Sequence, residues 1–417
     1  MKTLLVIGYV WPEPNSSAAG SRMLQLLSAF QCADYRIVFG SPAEQSTHAV
    51  DLSTLAIESV SLPLNDEAFD RYIEQLQPDA VLFDRFMMEE QFGWRVEKYA
   101  PNAIRILDTE DLHCLRHARH QAVKEQQPMS AKHYFSELAK REIAAILRCD
   151  LTLLISEFEV EWLQRIYQVP SALLHYCPFM LAVTESVLSD MHEREHFVAI
   201  GNFRHEPNWD AVLYLQRLWP SIRRQLPQAQ LHIYGAYPPP KATQLHNPKQ
   251  GFHVCGWAED ALAVVKQARV MLAPLRFGAG LKGKLLDAAQ CGTPAVTTSI
   301  GAEGMYGDEP AALVADGDDA LVAAAVTLYQ NVEEWHRLSE RGVRLIPQRF
   351  AVEPHQAALL VRVEDCVNDL PAHRLQNFYG AMLRHHHVKS TQYMAQWIEV
   401  KQQFAQFKAN CANVPLD

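Results

Sequence analysis

The chain of 417 residues is predicted to be an α/β protein built on doubly wound parallel sheets, and three observations predict it. Short apolar runs recur along the chain and alternate with segments of helical spacing, the pattern of parallel strands joined by crossover helices. Two of these runs, at residues 2–8 and 197–200, open into loops of small residues, asparagine and proline. Loops of that kind fall at the carboxyl edge of a parallel sheet, where such folds bind ligands. The length, finally, suits about two to three domains with real cores.

Taken in order, residues 2–8 read as a buried strand and 10–20 as a loop ending in Ser16, Ser17, Ala18, Ala19 and Gly20. A helix over 21–30 lines up Met23, Leu24, Leu26, Leu27 and Phe30 on one face. Strands follow near 36–39, 80–83, 104–107 and 151–155, and 173–179 completes the first sheet. Asp84-Arg85 and the stretch Asp108-Thr109-Glu110-Asp111-Leu112-His113 stand at two strand ends, so both are expected at the ligand edge. Arg116, His117, Arg119 and His120 give the next helix a polar, partly basic face suited to an anionic acceptor or lipid headgroups. Ser156 is a good N-cap, and Glu157 and Glu159 suit the first helical turn after it. Residues 180–195, polar and acidic, read as a linker.

The second half repeats the pattern. A strand at 197–200 leads to a loop holding Asn202, Arg204 and Asn208, then to a helix over 209–225. Strands at 231–234 and 252–257 follow, the latter ending at Trp257, and a helix covers 259–267.

The rest of the chain is organised around residues 269–305. An apolar run at 270–275 is the profile of a buried parallel strand. Gly278, Gly280 and Gly283 then make a permissive loop that lets backbone approach a ligand. The helix over 283–290 closes at Gly292 and Pro294, and a further strand over 295–299 ends at Gly301-Ala302-Glu303-Gly304. A glycine loop feeding a helix start is an anion site, because free amides and the helix dipole converge there. Lys282 and Lys284 add two mobile positive charges at its mouth, and Asp287 lies one turn on. Cations for a diphosphate and a carboxylate for vicinal hydroxyls would together hold a nucleotide-sugar.

Pro274 through Ala288, with Gly278-Ala279-Gly280-Leu281-Lys282-Gly283-Lys284 at its centre, then Cys291-Gly292-Thr293-Pro294 and Gly301-Ala302-Glu303-Gly304, resembles the donor-binding segment of the group-one (family-four) retaining glycosyltransferases. The resemblance implies a GT-B fold: two Rossmann-like domains facing a cleft, with a donor domain over 196–350 and an acceptor domain over 1–190. Residues 351–417 would hold a crossover helix and a helical C-terminal extension. The family usually carries Glu-x7-Glu here. Asp287 takes the place of the second acid, which binds the donor ribose, and Ala279 that of the first, which touches the sugar. The Gly-Ala-Gly-Leu-Lys-Gly-Lys form reads as a subgroup variation.

The resemblance also assigns roles elsewhere. Asp111 and His113 match a stretch whose histidine comes close to the transferred sugar, and Trp257 would lie beside the base. Glu303 falls in the phosphate-and-sugar loop. Relatives place an arginine and a lysine where Asn202 and Asn208 stand, so Arg204, Lys282, Lys284 and Arg276 are expected to supply the charge. Ser17, Gly20 and Asp84 would line the acceptor side. No metal is expected, because GT-B enzymes need none, so His117 and His120 are read as surface residues rather than as ligands. No other cofactor is implied: the nucleotide-sugar is a substrate. The acceptor is a saccharide, lipid-linked or protein hydroxyl, in cell-surface polysaccharide, glycolipid or glycoprotein assembly. Two other readings share the scaffold, a sugar-nucleotide 2-epimerase and a non-catalytic partner of an active transferase.

A net charge of −10 argues against bulk nucleic-acid binding. Lys2 precedes only a short apolar strand, stopped at Trp11-Pro12-Glu13-Pro14, so no secretion signal is expected. The eight cysteines, Cys255 and Cys291 among them, read as reduced, buried small hydrophobes of a cytoplasmic protein. Residues 368–417 hold Phe378, Tyr379, the run from Arg384 to His387, and an aromatic-basic pattern through Trp397, Phe404 and Phe407. They read as a helical appendage for acceptor, membrane or partner contact, which would put the protein at the inner membrane face as a peripheral protein.

Overall fold

The computed structural model describes residues 1–183 and 189–412, without the side chains of 386–389 and 409–412. The centre of the linker expected over 180–195 therefore lies outside the described residues. Two parallel sheets organise the chain. The first contains β1 (Thr3–Ile7), β2 (Arg36–Ser41), β3 (Glu58–Ser61), β4 (Ala80–Asp84), β5 (Ile104–Asp108), β6 (Leu151–Leu154) and β7 (Leu174–Tyr176), in the order β3-β2-β1-β4-β5-β6-β7. The second contains β8 (Glu195–Ile200), β9 (Leu231–Tyr234), β10 (Phe252–Gly256), β11 (Ala268–Ala273), β12 (Ala295–Thr297) and β13 (Ala312–Val314), in the order β10-β9-β8-β11-β12-β13. Each is a doubly wound Rossmann-like sheet, as expected.

The apolar runs are continuous because these strands are buried on both faces. In β1, Leu4 and Val6 enter one core while Leu5 and Ile7 enter another. In β11, Val270 and Leu272 face one core, and Met271 and Ala273 the other. At about 1.5–3 kcal/mol per fully buried aliphatic side chain, a polar residue at any of these positions would cost much of the fold's margin. The helix Val352–Asn368 crosses back, and its Leu359, Val363 and Cys366 share a core with β1 and the helix Ala18–Cys32.

One element escaped the sequence reading. β3 is polar and mostly exposed, and it adds to the sheet edge through register pairs such as Phe39 with Ser59. An edge strand with one face open needs no apolar run. Cys255 also departs from expectation: it is exposed, whereas Cys291 is buried.

The sheet orders place two crevices. Direction reverses between β1 and β4 in the first sheet and between β8 and β11 in the second, and ligands bind such folds at those switch points. The loops after all four strands meet between the domains.

Candidate functional site

The second-domain side begins where β11 ends. The loop from Pro274 runs into the helix Gly283–Gln290, whose N-cap, Lys282, makes no side-chain cap. Lys284, in the first turn, turns toward the loop after β8 and donates to Asn208 Oδ1 at 2.6 Å. Asn208 in turn donates to the Asn202 carbonyl at 3.0 Å. A Cβ added to Gly201 would lie 2.9 Å from Lys284 Nζ, so glycine is needed there for space. Asn208, held by the Asn202 carbonyl, thus aims Lys284. Beneath them lies a cavity of about 20 Å³, lined by Ile200, Gly201, Asn208, Tyr234, Ala273 and Lys284.

Burial shifts both charges of this helix. It lowers the Lys284 ammonium to about 8, against the pull of Asp287. It raises the Asp287 carboxyl to about 7, which Lys284 partly offsets. Both groups sit within one turn of each other, as the spacing predicts.

Lys282 departs from its expected place. Its ammonium folds back onto the carbonyls of Ala279, at 3.3 Å, and Gly280, so it is a buried brace of its own loop and not a mobile charge. Burial lowers it to about 8. Ala279 packs into the core of the first domain, and Leu281 into that of the second. A glutamate at 279 would be buried there. Gly280 has φ 62°, and an added Cβ would come within 2.9 Å of Asp111 Cβ.

The first domain answers with carboxylates and arginines. Asp84 accepts the Tyr9 amide at 3.0 Å and lies 3.7 Å from Arg85; burial raises its pKa. Asp108 is fully buried against Arg22 at 2.8 Å. Glu110, at φ 60°, is pushed well above the carboxylate range by burial and by Asp108. Burial also presses on Asp111, but Arg116 and His113 outweigh it and hold Asp111 well below that range. His113 begins the helix His113–Glu125, with Nε2 3.6 Å from Asp111 and its amide donating to Glu142 at 3.0 Å. Burial lowers its imidazole to about 4, so it is neutral at physiological pH.

Three contacts cross the cleft that sequence reasoning did not anticipate. Arg119 grips Glu303 with two hydrogen bonds of 2.8 and 2.6 Å and donates to the Gly278 carbonyl at 2.7 Å. Glu159 accepts amides from Leu112, at 2.9 Å, and from Gly280, at 2.8 Å. His120 stacks on Phe277 with centroids 4.2 Å apart. The basic face that seemed suited to lipid or acceptor therefore turns Arg119 and His120 inward. Glu157 and Glu159 are not simple caps: Glu157 pairs with Arg349 at 2.7 Å, and Ser156 makes no side-chain cap. The signal for Arg119 and Glu303 is a basic residue on a helix face and an acid in a glycine loop, but nothing in the sequence pairs them.

The remaining predicted residues sit around this centre. Ser17 caps the helix Ala18–Cys32 by accepting the Gly20 amide at 3.1 Å, and Gly20 is wedged under the backbone of Glu13. Ala18 abuts Gly283, where an added Cβ would lie 2.6 Å away, so the small-residue loop sits on the start of the helix Gly283–Gln290. At one rim, Trp257 donates to the Asn15 carbonyl at 3.1 Å. Arg204 lies 3.6 Å over the Tyr237 ring, whose hydroxyl reaches Glu13 at 3.0 Å. Arg276 is held away from Lys284 by an ion pair with Asp210. Among the described residues no group of three or more potential ligands is arranged to hold a metal ion.

Residues 194–331, most of the second sheet and its helices, match a protein-family model described as "Glycosyl transferases group 1". No match is found among curated protein sequences. Solved structures share the fold. Anabaena HepE in complex with UDP is 11% identical, with a TM-score of 0.67 over 88% of this chain and 100% of that one. Sucrose-phosphate synthase from Thermosynechococcus elongatus is 16% identical, with a TM-score of 0.65 over 89% and 100%. A mutant of S. aureus TarM, in complex with Fondaparinux, alpha-GlcNAc-glycerol and UDP, is 12% identical, with a TM-score of 0.57 over 70% of this chain; the chain spans 58% of that relative. The architecture is thus GT-B, and the family match supports a glycosyltransferase domain at 194–331.

Proposed function

We propose that the protein is a retaining glycosyltransferase that moves a sugar from a nucleotide-diphosphate sugar to a hydroxyl acceptor. The observation that carries this reading is Lys284: a cation at a helix start, at the switch point of the second sheet, aimed by Asn208 and with Asp287 one turn on. The family match over the same domain supports it. The HepE and TarM structures are complexes with UDP, which makes uridine donors the first to test.

In this reading the diphosphate meets Lys284 and the free amides of the helix start, and Asp287 accepts ribose hydroxyls. The loop around Gly280 and Glu303 holds the donor sugar, and neutral His113 hydrogen-bonds it from the opposite edge. The anomeric carbon–oxygen bond to phosphate breaks while the acceptor oxygen bonds to the same face. The acceptor proton passes to the departing phosphate oxygen. Lys284 and the amides stabilise charge that develops on the leaving group, an effect of about 3–4 kcal/mol for a single well-placed donor. Lys284 and the amides of the helix start would fill the place of a metal, so chelation should leave the rate unchanged.

The cleft as described is packed. The Ala18–Gly283 and Arg119–Glu303 contacts close it, so entry of a donor requires them to part. Closure afterwards would exclude water. The test is release of nucleoside diphosphate from a panel of nucleotide-sugars. Release by the wild type and its loss in Lys284→Ala support the reading; release from no donor, with or without saccharide and lipid-linked acceptors, refutes it.

A further inference from the structure

The helix Phe378–Ala412 carries a feature that sugar transfer does not use. It is anchored at its start: Asn377 donates to the Leu147 carbonyl at 2.7 Å and accepts the Gly380 amide at 2.9 Å. Gly380 is required there, since an added Cβ would lie 2.1 Å from Leu147 O. Further along, Arg384 approaches Glu97 at 3.3 Å, Ala395 is buried, and Glu399 pairs with Arg95. One side of the helix is therefore committed to the first domain, on the helices Glu137–Arg148 and Phe86–Tyr99.

The other side is apolar and exposed. Tyr393, Trp397, Val400, Phe404 and Phe407 follow at alternating spacings of four and three, so they share one face. They are 57–66% exposed. Phe378, Tyr379 and Met382 continue the exposed apolar surface at the anchored end. From Val400 to Lys408 every residue is exposed, so the last turns project beyond the body. Lys401 lies 5.1 Å over the Trp397 ring, and Lys408 4.7 Å over that of Phe404. Over 378–412 the sequence holds four Arg and Lys and one acid, Glu399; Arg384 turns inward to Glu97, and Lys401 and Lys408 stand beside the exposed rings.

We propose that this helix docks on an anionic lipid bilayer, its rings in the headgroup boundary and its lysines at the phosphates. Aromatic rings with lysine stems beside them are the composition of a helix lying in the interface plane. The charge disfavours the main competitor, a paired helix from a second copy. Its flanks would set lysines against glutamines and lysines, and the sole acid is already engaged by Arg95. No helix of the described residues is long and apolar enough to cross a membrane, so the helix rests on the surface. The proposal stands whether or not the cleft transfers sugar.

The test is cosedimentation of the full chain with phosphatidylcholine vesicles, with and without phosphatidylglycerol. The wild type should partition at least roughly tenfold better onto the anionic vesicles, and salt should weaken binding. Lys401→Glu/Lys408→Glu should abolish the preference for anionic lipid. Trp397→Glu/Phe404→Glu should abolish binding to both vesicle types, with an unchanged circular dichroism spectrum because these side chains touch solvent. Equal or absent binding of the wild type to the two vesicle types would overturn the proposal. So would a wild-type dimer by light scattering that the Trp397→Glu/Phe404→Glu variant converts to a monomer.

Discussion

At the carboxyl edge of the second sheet, Lys284 faces an amide oxygen rather than a carboxylate, and burial has already loosened its proton. At the facing edge of the first sheet, Asp84, Asp108, Glu110 and Asp111 crowd together, but Arg22, Arg85 and Arg116 stand among them. There the surplus negative charge is relieved by holding Asp84 and Glu110 toward their protonated forms. The contrast teaches how the cleft divides its work. A buried charge is costly unless paired; the first edge is compensated internally, and in the proposed function the second is completed by an anion while the first offers hydrogen bonds to a neutral sugar.

The comparison can be broken from either side. His113→Ala should lower kcat by about a hundredfold if it meets the sugar in the transition state, with the donor Kd nearly unchanged; a matching rise in Kd would move His113 to ground-state binding. Arg119→Ala leaves the half-buried Glu303 without its partner and should cost about 1–3 kcal/mol in urea unfolding, with a more open cleft in solution scattering. An unchanged midpoint and profile would show that the two edges are not latched through this pair.

The pH dependence sharpens the contrast. The Lys284 ammonium falls from 10.5 to about 8 on folding. Over that window the unfolded chain holds the proton that the native chain has lost, so stability rises with pH there. Nucleotide binding runs the opposite way, because an anion needs the protonated form. Calorimetric affinity for a nucleoside diphosphate should fall by up to about tenfold per pH unit above 8, and a flat profile would count against Lys284. The smallest effect is expected at Arg276, whose charge is spent on Asp210: Arg276→Ala should change donor KM by less than about twofold.

Most of the fold was legible because parallel strands buried on both faces leave apolar runs, as in β1 and β11. β3 was not, since an edge strand such as Glu-Ser-Val-Ser sets only Val60 against the core. The glycine loop, Lys284 and Asp287 were legible as local pattern, being near neighbours on one helix. Glu159 and Arg119 were not: their partners Gly280 and Glu303 lie 121 and 184 residues away. A charged side chain says that it needs a partner but not which one. Lys282 misled for a related reason. Its spacing permits an outward ammonium, and only the backbone of the folded loop, with two carbonyls turned inward, draws it back.

The central claim is that Lys284 grips a diphosphate at the switch point of the second sheet. Isothermal titration of uridine diphosphate, and of other nucleoside diphosphates if it is silent, into the wild type and Lys284→Ala tests it most directly. The account predicts binding by the wild type that weakens by about a hundredfold in the variant, near 2.7 kcal/mol. Equal affinity in the two proteins would contradict it.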